Sequence, residues 1–186
     1  QSVQDLVSVV RANPGKYNFS SSGKGGAPHM AGELFKSAAG LDMTHVPYNG
    51  AGPALNDVAA GLVQLTFTTY TSAQALLKTD KVSAVAVAGK RRLVSLPQVP
   101  TFEESGVKGL EMGTMNGLLA PAKTPQPVID KIYAAVLRAA ERQEFKAQFV
   151  EQGAELLVED PAQFAAYIRS DVQRWKELTA RIGGVQ

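Results

Sequence analysis

The stretch SSSGKGGAPH, residues 20–29, combines hydroxyls and glycines just before a predicted helix. Hydroxyls donate hydrogen bonds, and glycines let a ligand approach the backbone closely. Amide groups at the start of a helix favour a negatively charged group such as a carboxylate or a phosphate. The G-x-G-G spacing matches neither common phosphate-binding motif, so a carboxylate, a phosphate and a flexible turn all stay open. The candidate ligand-binding residues here are Ser21, Ser22, Gly23, Gly25 and Gly26.

Metal and thiol chemistry have little support in this sequence. It contains no cysteine, which excludes disulfides and thiolate ligands, and its two histidines are His29 and His45. Two lone histidines on separate elements predict no metal site. His45 lies within a predicted strand, where a structural role is favoured. His29 lies near a predicted helix start, where it either faces a cleft or has a packing or capping role.

An enzymatic function is the least supported class. Ser21 or Ser22 could be combined with a histidine and with Asp42 or Asp57, but the G-x-S-x-G elbow of serine hydrolases is absent. We therefore predict no catalytic residue, no metal and no cofactor. The net charge of +2 gives no strong field for nucleic acid, and the short basic cluster at 90–92 is typical of a solvated loop.

The first half of the chain alternates predicted strands with predicted helices. This order implies a mostly parallel sheet, on which ligands bind beyond the carboxyl ends of the strands. Loops 20–28, 48–53 and 68–72 would meet at that edge. Tyr48 and Tyr70 end strands there, either closing a cleft or packing. The predicted elements are helices 3–12, 30–40, 53–60 (beginning at Pro53) and 73–78 (capped by Ser72), and strands 17–20, 43–48, 62–70 and 83–89.

The second half is mainly helical. Five prolines between residues 94 and 127 indicate a crossing segment. Apolar residues recur at helical spacing in 128–140 and 161–183, and helix continues over 145–153, whereas only 115–121 and 154–158 could be strands. These helices need a sheet to cover their apolar faces. Exposed faces of this kind predict self-association.

Several motifs of the chain occur together in one known family. H-x-x-x-E-L-F begins at His29 and H-V-P-Y-x-G-x-x-P-A begins at His45, and SAVAVAGKRR, LPQVPTFEESGV and GLLAPAKTP follow. With these motifs the chain resembles, over essentially its whole length, the Bug (TctC-like) family of solute-binding receptors of tripartite tricarboxylate transporters. The resemblance implies an α/β, periplasmic-binding-protein-like lobe with a mostly parallel sheet and flanking helices, plus the helical C-terminal part of a second lobe.

The resemblance also implies a function. A receptor of this family would hold a small carboxylate (a di- or tricarboxylate, an amino acid or an aromatic acid) in a cleft between two lobes. It would deliver this ligand to the membrane permease subunits of the transporter from the periplasm. The serine-glycine loop would form one jaw of the cleft. Tyr48, Thr68 and Thr69 complete the set of ligand-binding residues that we expect.

Three departures from the family pattern leave the identity of the carboxylate open. Gly26 stands where the family usually has Thr or Ser, and Thr68 follows Phe67 where an acidic residue is common. Met115 and Asn116 replace an aromatic residue. Each change alters the predicted cleft.

Family members also have a lobe portion that would precede residue 1. We therefore expect residues 1–111 to be a complete second α/β lobe and residues 112–186 to be the C-terminal, mostly helical portion of the first lobe. The alternative to a ligand-binding receptor is a truncated, self-associating remnant without ligand binding of its own, and a hydrolase is the weakest interpretation.

Overall fold

A computed structural model describes residues 2–113, 117–154 and 156–181. These residues fall into two units, the first described over 2–113 and the second over 117–154 and 156–181. Their assignment to two lobes of one receptor stays a prediction.

The first unit contains a three-stranded parallel sheet with the strand order β2-β1-β3. Tyr17 of β1 pairs with Met43 of β2, and Phe19 of β1 pairs with Leu65 of β3. Helices separate the strands along the chain, which confirms the predicted α/β fold. The elements are α1 Val3–Arg11, β1 Tyr17–Ser21, α2 Ala27–Ala39, β2 Met43–Pro47, α3 Ala51–Ala59, β3 Leu65–Thr66 and α4 Tyr70–Leu77.

The core of this unit is built around Phe19 of the central strand. Its ring is fully buried, stacks 4.8 Å from His45 and meets Phe67 edge-on at 5.8 Å. Gly32 of α2 allows the helix to lie directly on this ring, because an added Cβ would come within 2.1 Å of it. Phe35 extends the cluster toward Phe67 at 5.8 Å. The centre of the sheet is thereby held rigidly beneath the loops that follow the strands.

The helices begin and end at residues that suit those positions, but several of their first residues differ from the predicted ones. Helix α2 begins at Ala27 rather than at residue 30, because Pro28 fits the first turn of a helix. Helix α3 begins at Ala51, so Pro53 is its third residue and not its first. Gly40 ends α2 with a φ of 61°, as predicted.

The predicted strand 62–70 is wrong in its length. Only Leu65 and Thr66 pair with β1, and α4 already begins at Tyr70. Thr69 rather than Ser72 is the N-cap of α4. The run of threonines after Phe67 suits a strand by composition, but a strand also requires a paired neighbour, which here ends at Ser21.

The predicted strand 83–89 is also wrong. Within the described residues this segment forms a single parallel bridge, between Val87 and Thr101. Val87 accepts from the amide of Phe102 at 3.1 Å and donates to Pro100 at 2.9 Å. Its apolar residues fit a buried strand, but its partner is a turn rather than a neighbouring strand, so no ladder extends from it.

The described residues of the second unit form three helices, and apolar side chains on each of them remain exposed. The exposed fraction is 43% for Ile132, 47% for Val150 and 50% for Val172. Residues 117–121, 154 and 156–158 are irregular, so the strands predicted at 115–121 and 154–158 are wrong there; residues 115, 116 and 155 lie outside the described residues. The helices are α5 Gln126–Glu141, α6 Gln143–Glu151 and α7 Pro161–Arg181.

None of the helices in the described part of the chain has the length and apolar character needed to span a bilayer.

Candidate functional site

Three loops meet at the carboxyl edge of the sheet, because all three strands run in the same direction. They are residues 22–26, 48–50 and 67–69, and each leads directly into a helix. Backbone bonds join them, since the amides of Tyr48 and Gly50 donate to Ser21 and Ser22 at 3.0 and 3.3 Å. The amide of Phe67 donates to Ser20 at 3.2 Å. The candidate site is therefore one connected rim.

The three helices that begin at this rim all lack a side-chain cap. Their N-caps are Gly26, Gly50 and Thr69, and none of these accepts a capping bond from the helix that follows. The first amides of a helix have no partners within the helix, and the helix dipole makes this end positive. The rim thus presents three positive helix ends in a form that suits a small anion.

Ser21 shapes the loop from below. Its side chain is fully buried, and its hydroxyl lies 2.7 Å from Nε2 of His45. The same hydroxyl donates to the carbonyl of Gly23 at 2.9 Å and accepts from the amide of Gly23 at 3.4 Å. The hydroxyl is thus committed to the loop itself, and a direct contact between Ser21 and a ligand stays a prediction.

The rest of the loop faces outward. Ser22, Gly25 and Gly26 are exposed, and Gly23 is half-buried. Gly25 has a φ of 77°, a conformation that side chains with a Cβ rarely adopt. Its amide donates to Nδ1 of His29 at 3.1 Å, and this bond holds the tip of the loop. The loop therefore has a defined shape, which makes a merely flexible turn the weaker interpretation.

The two histidines form a stacked pair beneath the loop. Their ring centroids are 3.9 Å apart, and the rings are inclined by 23°. Burial lowers the pKa of His29, and the positive charges of Lys24 and Lys36 lower it further against the opposing effect of Glu33. Burial, followed by the neighbouring His29, lowers the pKa of His45 to about 4. Both rings are therefore neutral at pH 7.

The second and third loops place Tyr48, Thr68 and Thr69 at the rim. The hydroxyl of Tyr48 donates to Asp57 of α3 at 2.5 Å, and this bond raises the pKa of Tyr48. The hydroxyl of Thr68 is buried and, among the described residues, finds no hydrogen-bond partner. Thr69 lies within hydrogen-bond distance of Thr71 and Ser72, at 3.1 and 2.9 Å. Direct ligand contacts by these residues stay predictions.

The sequence matches the profile of the tripartite tricarboxylate transporter family receptor, TctC, over residues 1–183. The chain belongs to this family. The family consists of receptors rather than enzymes, and this agrees with the prediction from the Bug-type motifs.

Bug proteins are among the proteins and structures that this chain is similar to. It is 32% identical over 95% of its length to the UPF0065 protein in the tcbD-tcbE intergenic region of Pseudomonas sp. (strain P51), and 25% identical over 98% to BugT of Bordetella pertussis. It spans 53% and 56% of these two proteins, about half of their length.

Solved structures of similar proteins share the fold. Rpa4515 of R. palustris, solved with adipate, has a TM-score of 0.90 at 29% identity, and the match covers 99% of this chain and 62% of that one. The periplasmic binding protein BugD has a TM-score of 0.85 at 30% identity, with the same coverage. MatC of Rhodopseudomonas palustris, solved with bound malate, has a TM-score of 0.80 at 29% identity and covers 96% and 62%.

The geometry of the candidate site also argues against hydrolase chemistry. Ser21 and His45 are within hydrogen-bond distance, but a serine nucleophile must be accessible and needs a base that a third group orients. Ser21 is fully buried, and the carboxylate of Asp57 binds Tyr48. Within the described residues no group of three or more His, Asp and Glu side chains is arranged to hold a metal ion.

Several contacts in the candidate site were not predicted from the sequence, among them the following two. The bond between Tyr48 and Asp57 joins a loop to the helix that follows it. The stacking of His29 on His45 was missed as well, although a capping role was one of the two interpretations left open for His29. The signal for the capping role is that His29 follows Gly25 by four residues. This spacing lets the ring of His29 accept from the amide of Gly25, just before the first turn of α2.

Proposed function

We propose that this protein is an extracytoplasmic solute receptor that binds a small carboxylate at the carboxyl edge of its parallel sheet. The observation that carries this proposal is the convergence of three uncapped helix N-termini, at Gly26, Gly50 and Thr69. Amide groups at such ends bind carboxylates without needing a basic side chain. The ligand would occupy a cleft between two lobes, of which the first unit supplies one jaw.

The choice of a carboxylate over a phosphate rests on two points. The loop lacks both common phosphate-binding spacings. Two of the similar structures were solved with carboxylates, adipate and malate. The proposed ligand class therefore covers di- and tricarboxylates, amino acids and aromatic acids.

The proposed partners and location follow from the family. A receptor of a tripartite tricarboxylate transporter would work in the periplasm and would pass its ligand to the membrane permease subunits. The description of the family as a transporter receptor and the periplasmic binding protein BugD among similar structures support this part of the proposal.

The loop assignment is tested with Gly25→Val in a receptor of full family length that contains this sequence. A valine at φ 77° would reshape the loop and block the approach to its amides, so we expect carboxylate binding to be lost. Titration calorimetry with adipate and malate measures the affinity. Gly61→Val is the matched control, because Gly61 has the same φ of 77°, no neighbouring atom within 4 Å and a position at the opposite end of α3. Unchanged affinity in Gly25→Val would contradict the assignment.

A second candidate is self-association without ligand binding, favoured by the exposed apolar side chains of the second unit. Ile132, Val150 and Val172 lie on three different helices and are 43–50% exposed. Apolar surface of this kind pairs with other apolar surface. Light scattering after size-exclusion chromatography, with and without a mixture of carboxylates, separates the candidates. A dimer unaffected by ligand supports self-association, whereas a monomer that also binds carboxylate in titration calorimetry supports the receptor.

A further inference from the structure

The stacked His29–His45 pair connects the proposed ligand loop to the core. His29 comes from α2 and His45 from β2, and each bonds one part of the loop. His45 holds the start of the loop through Ser21 at 2.7 Å, and His29 holds its tip through the amide of Gly25 at 3.1 Å. Phe19 supports the pair from the core, at 4.8 Å from His45.

The hydrogen bonds define where the imidazole protons lie. Nδ1 of His29 accepts the Gly25 N–H and therefore carries no proton, so the neutral ring carries its proton on Nε2. The hydroxyl proton of Ser21 is donated to Gly23, which leaves Nε2 of His45 as the donor to Ser21. A second proton on His29 would sit on Nδ1 and face the Gly25 N–H directly. The bond to the loop tip would then break.

Burial is the main cause that keeps both rings neutral, and the surrounding charges add to it. Lys24 in the loop and Lys36 on α2 both disfavour a positive charge on either ring. Glu33 favours a positive charge on His29, since a carboxylate oxygen lies 3.8 Å from its Nε2, but Lys36 pairs with this carboxylate at 3.1 Å. Two cationic rings 3.9 Å apart would also repel each other strongly.

We infer that His29 and His45 are positioning residues for the Ser21–Gly26 loop, and that this loop holds its binding conformation only while the His29 imidazole is neutral. The part of this inference that concerns binding rests on the proposed carboxylate receptor. The part that concerns the conformation of the loop is independent of that proposed function.

A positioning role for the histidines predicts a pH dependence of carboxylate affinity opposite to that expected if a histidine contacted the ligand directly. A histidine that touched the carboxylate would bind it more tightly once protonated, because the charges attract. A positioning histidine that must stay neutral makes binding weaker in acid. The sign of the pH dependence therefore distinguishes the two roles.

The first experiment follows the loop by NMR without any ligand, from pH 8 to pH 4. The chain has two histidines, so His29→Asn leaves a single imidazole signal and assigns both. We expect the Gly25 amide resonance to shift with the titration of His29, and to show no such titration in His29→Asn, whose amide oxygen supplies an acceptor that cannot be protonated. A Gly25 amide that stays constant while His29 titrates would overturn the inference.

The second experiment measures the dissociation constant of malate over the same pH range, in the wild type and in His29→Asn. The titration of malate itself is common to both proteins and cancels in the ratio of the two constants. Below the measured pKa of His29, the wild-type constant should rise relative to the variant, approaching about tenfold per pH unit for one linked proton. If the wild-type dissociation constant, divided by that of His29→Asn, falls in acid or stays constant, the positioning role is contradicted.

His45→Gln is the second variant, since its side-chain amide keeps a donor for Ser21 and removes the second titrating ring. We expect the Gly25 amide still to titrate with His29 in this variant, because His45, with a pKa lowered to about 4, is not the ring that accepts the Gly25 N–H. Loss of the Gly25 titration in His45→Gln would assign that titration to His45 and contradict the role given to His29. Absence of malate binding at every pH would count against the proposed function, while the NMR result would still decide the loop part of the inference.

Discussion

The two units of this protein both contain amphipathic helices, but they bury the apolar side chains of these helices to different extents. In the first unit, α1 and α2 bury apolar residues such as Val3, Val10 and Phe35 almost completely. In the second unit, Ala140 is the one apolar side chain among the described residues that is buried, while Ile132 and Val172 are about half exposed. The sequence periodicity is helical in both.

The difference teaches that amphipathic periodicity specifies a helix but does not supply its partner. The first unit contains a sheet on which helices can lie, and burial against it removes apolar surface from water. No strand is present in the described residues of the second unit. Its helices satisfy their backbones locally, as the capping of α7 by Asp160 at 2.8 Å illustrates, without burying their apolar side chains.

The largest expected effect comes from filling the tightest contact of the first unit. In Gly32→Ala the new methyl group would lie 2.1 Å from the ring of Phe19, which is fully buried and cannot move aside. We expect a loss of about 3 kcal/mol in the free energy of unfolding, at the upper end of overpacking. Gly52→Ala in α3 is the control, because no atom lies within 4 Å and alanine favours helix. Equal stability of the two variants in urea titrations would contradict the packing argument.

The second effect is acid sensitivity confined to the first unit, which contains both histidines. Their folded pKa values are lowered from the ordinary 6.5, so the unfolded chain binds protons first as the pH falls. Stability is therefore complete above pH 6.5 and decreases toward pH 4, by at most about 1.4 kcal/mol per pH unit for each histidine.

Hydrogen exchange of the β1 amides, compared with those of α7, measures this sensitivity. The double variant His29→Asn, His45→Gln should remove most of the slope in β1 and leave α7 unchanged. A slope that persists in the double variant would assign the sensitivity to other groups.

The same contrast explains what could be predicted from the sequence. Strand and helix alternation indicated the α/β fold, and Gly40 marked the end of α2, because these signals are local. The extent of β3 and the segment around Val87 were mispredicted, since apolar runs become strands only where a neighbour pairs with them. At the site, the types of the loop residues were informative. The contact between Ser21 and His45 spans 24 positions and depends on strand register, which one sequence does not reveal.

A smaller effect is expected from the cap of α1. The hydroxyl of Ser2 accepts from the amide of Asp5 at 3.1 Å, and the carboxylate of Asp5 accepts from the amide of Ser2 at 2.9 Å. Ser2→Ala should cost about 1 kcal/mol of stability. Ser72→Ala is the matched control, because Ser72 was the predicted cap of α4 but lies inside that helix, and its loss should cost less than about 0.5 kcal/mol. Thermal unfolding monitored by circular dichroism compares the two variants, and a larger loss in Ser72→Ala would contradict the cap assignment.

The smallest effect is expected from a glycine-to-alanine substitution in the second unit, the counterpart of Gly32→Ala. In Gly117→Ala the new methyl group would lie 2.2 Å from the ring of Phe164, nearly the same clash as at Gly32. Phe164 is only half-buried, however, so its ring can rotate outward, and we expect a loss below about 1 kcal/mol. Hydrogen exchange of the α7 amides measures it. A penalty as large as that of Gly32→Ala would mean that the second unit packs around Phe164 as rigidly as the first packs around Phe19, and the contrast between the two units would then be wrong.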